Sequence, residues 1–172
     1  AGNPNVGKST VFNELTGMNQ HTGNWPGKTV ALAKGIARHQ ETDYTLVDLP
    51  GTYSLSARSP EEEVAAEYIS FGCADAVIVV CDATALERNL YLALQVMEIT
   101  DHVVICVNLM DEAGKRGITV DLPRLSQLLG VRVVGTSARQ KKTLPPLLRA
   151  AVAAAQERHR KPVPVRYGEA IE

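Results

Sequence analysis

The chain has few cysteines, no excess of charge of either sign and no long apolar run, and each scarcity removes a class of function. Cys73, Cys81 and Cys106 stand too far apart for a zinc site. Three cysteines without a signal peptide read as reduced thiols in a cytosolic setting, not as a disulfide scaffold. With 18 Lys and Arg against 19 Asp and Glu, the net charge is −1, so no basic field is offered to a nucleic-acid backbone. The small basic clusters at 139–142 and 158–161 read as solvated helix ends. The longest apolar run, residues 76–81, falls far short of the roughly 20 residues of a membrane helix. His21, His39, His102 and His159 are scattered, and no His, Cys or carboxylate cluster has metal-ligand spacing. Internal repeats and low-complexity segments are missing too. At 172 residues the chain is long enough for one well-buried core, which predicts a single globular domain.

What is present starts almost at once. Gly2-Asn3-Pro4-Asn5-Val6-Gly7-Lys8-Ser9 fits the phosphate-loop pattern G-x-x-x-x-G-K-[ST] without a gap. The two glycines let the backbone curl so that successive N–H groups face a phosphate, Lys8 reaches the β- and γ-oxygens, and the Ser9 hydroxyl ligates magnesium. A helix should follow from residue 8 or 9 to 16, with Val11, Phe12 and Leu15 inward and Gly17 as its cap.

Residues 18–28 show no periodicity and contain Gly23, Pro26 and Gly27, which predicts a long functional loop. Val30 to Ile36 and residues 44–47 then read as an antiparallel hairpin. Ser59-Pro60-Glu61-Glu62 is a helix start signal, and that helix should run to about Phe71. Residues 76–81 and 103–107 are continuous apolar runs of the kind found in parallel strands covered on both faces. The helix between them carries Leu86, Leu90, Ala93, Leu94 and Met97 on one face. A short helix capped by Asp121 turns Leu122, Leu125, Leu128 and Leu129 inward before a strand at 131–134, and a last helix spans 143 to about 159. This alternation predicts an α/β three-layer fold with a mostly parallel, doubly wound sheet and one antiparallel edge hairpin. Residues 1–160 form the domain, and 161–172 read as a linker and the start of a following, helical domain. Ala1 directly precedes the phosphate loop, where such folds have a strand, so the expectation is a piece excised from a longer chain.

Three further motifs fall at strand ends. Asp48-Leu49-Pro50-Gly51 follows the hairpin, where Asp48 can hold a magnesium-bound water and Gly51 can swing its N–H onto a γ-phosphate. Asn108-Leu109-Met110-Asp111 offers a carboxylate able to accept from guanine N1–H and its exocyclic amine, a donor pair that adenine lacks. Thr136-Ser137-Ala138 follows the last strand, where the Ala138 N–H can meet guanine O6.

With these motifs the chain resembles the translation-factor-related small GTPases and, more closely, the N-terminal G domain of the FeoB family of bacterial ferrous iron transporters. The particular marks are Gly2-Asn3-Pro4-Asn5, the Gly23-Asn24-Trp25-Pro26-Gly27 loop before Thr29, Asp48-Leu49-Pro50-Gly51-Thr52-Tyr53-Ser54, Ser59-Pro60-Glu61-Glu62, and Asp82-Ala83-Thr84 with Glu87-Arg88-Asn89-Leu90. The resemblance implies a Ras-like P-loop GTPase fold that binds GTP and GDP. Gly2, Asn3, Asn5, Val6, Gly7, Lys8, Ser9 and Thr10 would line the phosphates, and Asn108, Asp111, Ser137 and Ala138 the base. Magnesium would sit on Ser9 and Thr29, with Asp48 bound through water. Potassium would sit on Asn5 with the backbone carbonyls of Gly23 and Trp25, and the groups acting in hydrolysis would be Asn5, Lys8, Thr29 and Gly51.

The chain departs from the wider GTPase pattern at two positions. Thr52 stands where Ras-like proteins carry a water-positioning glutamine, which implies slow hydrolysis, and Leu109 replaces a base-covering lysine, which implies modest affinity. The implied partners are a helical domain and a transmembrane iron-transport region of the same polypeptide, with no direct iron binding here. That makes the chain a cytoplasmic domain of a bacterial inner-membrane protein. The alternatives are a regulatory module that signals by nucleotide occupancy alone, and a soluble GTPase of ribosome assembly or tRNA modification.

Overall fold

The computed structural model describes residues 1–17, 20–72 and 74–157. The apolar runs become β4 (Val77–Asp82) and β5 (Val103–Asn108), joined by β6 (Arg132–Gly135) in a parallel sheet of order β4-β5-β6. Side chains alternate across a strand, and the core divides accordingly. Val77, Val79 and Cys81 face one cluster with Leu92 and Val96, while Val80, Val104 and Cys106 face another with Val11 and Leu147. Helices α2 (Pro60–Phe71) and α3 (Leu86–Ile99) supply the first layer, and α1 (Lys8–Thr16) and α6 (Pro145–Gln156) supply the second. Between the second and third parallel strands lie α4 (Met110–Lys115) and α5 (Leu122–Leu129). Every residue of β5 is buried, as a central parallel strand requires.

The helix ends follow local chemistry. Ser59 Oγ accepts from the Glu62 N–H at 3.1 Å, and Glu62 Oε2 accepts in turn from the Arg58 N–H at 3.1 Å. Glu61, Glu62 and Glu63 then sit against the positive end of the α2 dipole.

The antiparallel part holds three strands, β1 (Gln20–Asn24), β2 (Ala31–His39) and β3 (Thr42–Asp48), in the order β1-β2-β3. The β2–β3 turn places both Gln40 and Glu41 at positive φ, 48° and 63°, the geometry of a two-residue hairpin turn. Among the described residues the two sheets share no direct ladder. Ala1 and Gly2 run beside β4, with the Val80 N–H donating to Ala1 O at 2.8 Å, and a cavity of about 570 Å³ separates the β3 edge from β4.

Several expectations need correction. Residues 18–28 are not one long loop, because Gln20 to Asn24 pair with Gly35 to Ala31 as β1. That strand is polar and almost wholly exposed, so backbone hydrogen bonds hold it and no apolar alternation marks it. The helix α4 falls in a stretch assigned no helix above. On α3 the expected Leu86, Leu90, Ala93 and Met97 do pack on the core, and the fully buried positions Asn89, Leu92 and Val96 join Ala93 beside them. The buried surface of that helix is therefore wider than the one stripe that spacing marks. Leu128 is 66% exposed, while Leu122, Leu125 and Leu129 pack on the core; an i, i+3, i+7 stripe leaves Leu128 off the face. The last helix begins at Pro145, after a 3-10 turn at Lys141–Thr143. The boundary at residue 160, the 161–172 linker and Cys73 lie outside the described residues.

Candidate functional site

Residues 2–9 curl between Gly2 beside β4 and the start of α1. Asn5 and Gly7 take φ of 65° and 82°, conformations open to Asn and Gly, and Gly7 caps α1 without a side-chain hydrogen bond. The first N–H groups of α1 therefore carry no cap, the arrangement that binds a phosphate. A Cβ on Gly7 would overlap Asn108 Nδ2, and one on Gly51 would lie 3.3 Å from Pro4 Cα. Gly7 is thus needed for close approach as well as for turning, while Gly51 leaves little room for a side chain against the Pro4 backbone.

Lys8 does not point into open solvent. Its Nζ makes an ion pair with Asp48 Oδ1 at the end of β3 and donates to Leu49 O at 2.6 Å. The two charged side chains are only 13% and 16% exposed. One strand end and one helix start thus bring together the residues assigned to phosphate and to magnesium. Ser9 is exposed at the same helix start. The loop after Asp48 folds over the phosphate loop, with the Thr52 N–H donating to Gly2 O at 3.1 Å and Thr52 itself 4% exposed.

A second group of motif residues meets at the ends of β5 and β6. Asn108, 1% exposed, donates from Nδ2 to Val6 O at 3.0 Å. Its Oδ1 accepts from the Ala138 N–H and from Thr136 Oγ1, each at 3.0 Å. Ser137 Oγ accepts from the Asp111 N–H at 3.1 Å, so the two motifs assigned to the base are fastened together. Leu109 takes φ 63° as it turns from β5 into α4. The Ala138 N–H assigned to guanine O6 is here engaged by Asn108. This junction was legible in the sequence only as two separate motifs; the role of Asn108 as the side chain that joins them was not.

Thr29, Gly23 and Trp25 are placed differently. The Trp25 N–H donates to Val30 O at 2.8 Å, and its carbonyl accepts from the Lys28 N–H at 3.0 Å. The Trp25 ring stands edge-on to Tyr68 at 5.7 Å between centroids, and Lys28 pairs with Glu63. This arm is therefore docked on α2, with Thr29 and Gly23 exposed. Among the described residues no hydrogen bond joins Gly23, Trp25 or Thr29 to Asn5 or Ser9. Nor is any group of three or more His, Cys, Asp or Glu arranged there to hold a metal ion, and no helix is long and apolar enough to cross a membrane.

Residues 1–151 match the family described as Ferrous iron transport protein B. A fusion protein of Fe(2+) transport protein A with the Fe(2+) transporter FeoB, from Porphyromonas gingivalis, is 42% identical over 174 residues, covering 99% of this chain and 21% of that protein. The chain thus spans about one fifth of this curated relative's length. The cytosolic domain of the T. maritima FeoB iron transporter in GDP form II superposes with a TM-score of 0.92 at 40% identity, over 99% of this chain and 68% of that one. The GMPPNP form of the same domain gives 0.88 at 41% identity, over 91% and 62%. The chain therefore belongs to the ferrous iron transport protein B family, as its N-terminal G domain with a Ras-like, GTPase-type fold.

Proposed function

We propose that this chain is a guanine-nucleotide switch, binding GTP and hydrolysing it slowly, that regulates a ferrous iron transporter from the cytoplasmic side of a bacterial cell membrane. The observation that carries this reading is the Asn108 junction, where one side chain joins the phosphate loop at Val6 to the Ala138 backbone beside Asp111. Phosphate and base recognition are thereby built as one unit. The T. maritima relatives described in GDP and GMPPNP forms support the same ligand class.

Ser9, Asp48 and Thr29 supply hydroxyl and carboxylate oxygens, the donor set that suits magnesium. Asn5, exposed at positive φ, together with the Gly23 and Trp25 carbonyls suits a potassium ion. Bound cations of this kind neutralise charge that develops on the transferred phosphoryl group. The chain's own residues do the rest. Lys8 leaves Asp48 for the phosphates, Gly51 turns its N–H toward the γ-phosphate, and the Gly23 to Thr29 arm leaves α2 to close the site. Hydrolysis is slow because Thr52 carries no amide to orient water. The buried, backbone-tethered Thr52 also favours a second reading, in which occupancy is the signal and turnover is incidental.

The test of the base assignment is Asp111→Asn. The parent binds GTP in preference to xanthosine triphosphate, and the variant reverses that order. A variant that still prefers GTP removes Asp111 from the site.

A further inference from the structure

The loop from residue 49 to 59 connects the end of β3 to α2, and hydrogen bonds from neighbouring elements tie its backbone along its length. Lys8 Nζ donates to Leu49 O at 2.6 Å, the Thr52 N–H donates to Gly2 O at 3.1 Å, the Leu55 N–H donates to Gln95 Oε1 at 2.8 Å, and the Arg58 N–H donates to Glu62 Oε2 at 3.1 Å. The first two ties belong to the phosphate loop and the fourth to α2. The third comes from the middle of α3, a helix with no nucleotide motif. Gln95 is partly buried, and the bond spans 40 residues of sequence.

We infer that Gln95 is a positioning residue for the Gly51–Thr52 segment, acting through the Leu55 backbone as the pivot about which that segment turns. The inference rests on the GTPase reading above. For Gly51 to approach a γ-phosphate, the Thr52 tie to Gly2 must open. Leu55 can stay in place, and the moving arm is then three residues long, with a reach of about 10 Å. Without the Gln95 tie, the next backbone anchor downstream is Arg58. The arm then doubles to six residues, about 20 Å of chain, and includes Ala57 at φ 57°. A longer arm has more conformations, so the one that presents Gly51 to phosphate is less populated. The Leu55 side chain also packs against the core, so Gln95 adds direction to an attachment that persists, and the effect of its loss is finite.

The experiment compares Gln95→Leu, which keeps the size and removes the acceptor, with Gln95→Glu, which keeps an acceptor oxygen. In Gln95→Leu, GTP turnover falls about fivefold, the worth of one ordinary hydrogen bond, while GDP affinity stays within twofold of the parent. In Gln95→Glu, turnover stays within twofold of the parent. Hydrogen exchange of the nucleotide-free protein supplies an arm that needs no nucleotide: amides 52–56 exchange about fivefold faster in Gln95→Leu than in the parent, and α3 amides do not. Unchanged exchange overturns the anchor. Faster exchange with parental turnover overturns the positioning role, as does equal loss in both variants. A parent that binds no guanine nucleotide counts against the GTPase reading instead, and the exchange arm still decides the anchor.

Discussion

Under the proposed function Lys8 must choose between Asp48 and a phosphate, and that competition can be measured. The Lys8–Asp48 pair is largely buried, with side chains 13% and 16% exposed, so solvent screens it less than a surface pair. A nucleotide that recruits Lys8 must open it. A hydrogen bond to a charged group contributes about 1.5–3 kcal/mol. Asp48→Asn retains an oxygen acceptor and loses the charge, which removes roughly half of that, about 1.1 kcal/mol or a factor of about six in affinity. In EDTA, the variant should therefore bind a fluorescent GDP analogue about sixfold more tightly than the parent, although it removes an acidic residue from the site. In magnesium the advantage should shrink, because Asp48 is also the carboxylate assigned to the metal's water. Equal or weaker binding by Asp48→Asn in EDTA would refute the competition.

Two further outcomes follow from the buried groups. Asn108→Ala removes three hydrogen bonds and leaves the Ala138 N–H and Thr136 Oγ1 without their acceptor, so a loss of about 2–4 kcal/mol in folding stability is expected from denaturant titration, together with weakened GDP binding. Burial pushes the Cys81 thiol up to about 12 and the Cys106 thiol up to about 11. Both folded values lie above the unfolded 9.0, so the stabilisation is complete below pH 9 and is lost as pH rises through about 11 for Cys106 and about 12 for Cys81. Iodoacetamide at pH 8, followed by peptide mapping, should leave both thiols unmodified until denaturant is added.

The parts of the molecule written in strong local chemistry were legible before folding. The phosphate loop, the Ser59 cap, the apolar β4 and β5, and the strand-end placement of Asp48 all came from residue type and spacing. What was hidden depends on pairing at a distance. The strand Gln20–Asn24 is made by the β2 edge, not by its own polar residues. The extra width of the buried surface of α3 is set by the sheet beneath it, and the outward turn of Leu128 by which neighbours α5 meets. In the candidate site, the residues expected to face a ligand were read one motif at a time. The ties between motifs, namely Asn108 to Val6, Ser137 to Asp111 and Gln95 to Leu55, join residues 26 to 102 positions apart, a separation that no periodicity reports. The docking of Trp25 and Lys28 on α2 is of the same kind, which is why Gly23, Trp25 and Thr29, the residues proposed to hold potassium and magnesium, stand apart from Asn5 and Ser9.

The central claim is that the chain turns over GTP with the help of a monovalent cation held by Asn5. Phosphate release from GTP, measured in potassium and in sodium at equal ionic strength with magnesium present, tests it most directly. The account predicts slow release that is faster in potassium and loses that advantage in Asn5→Ala. Equal and negligible rates in both salts would contradict it.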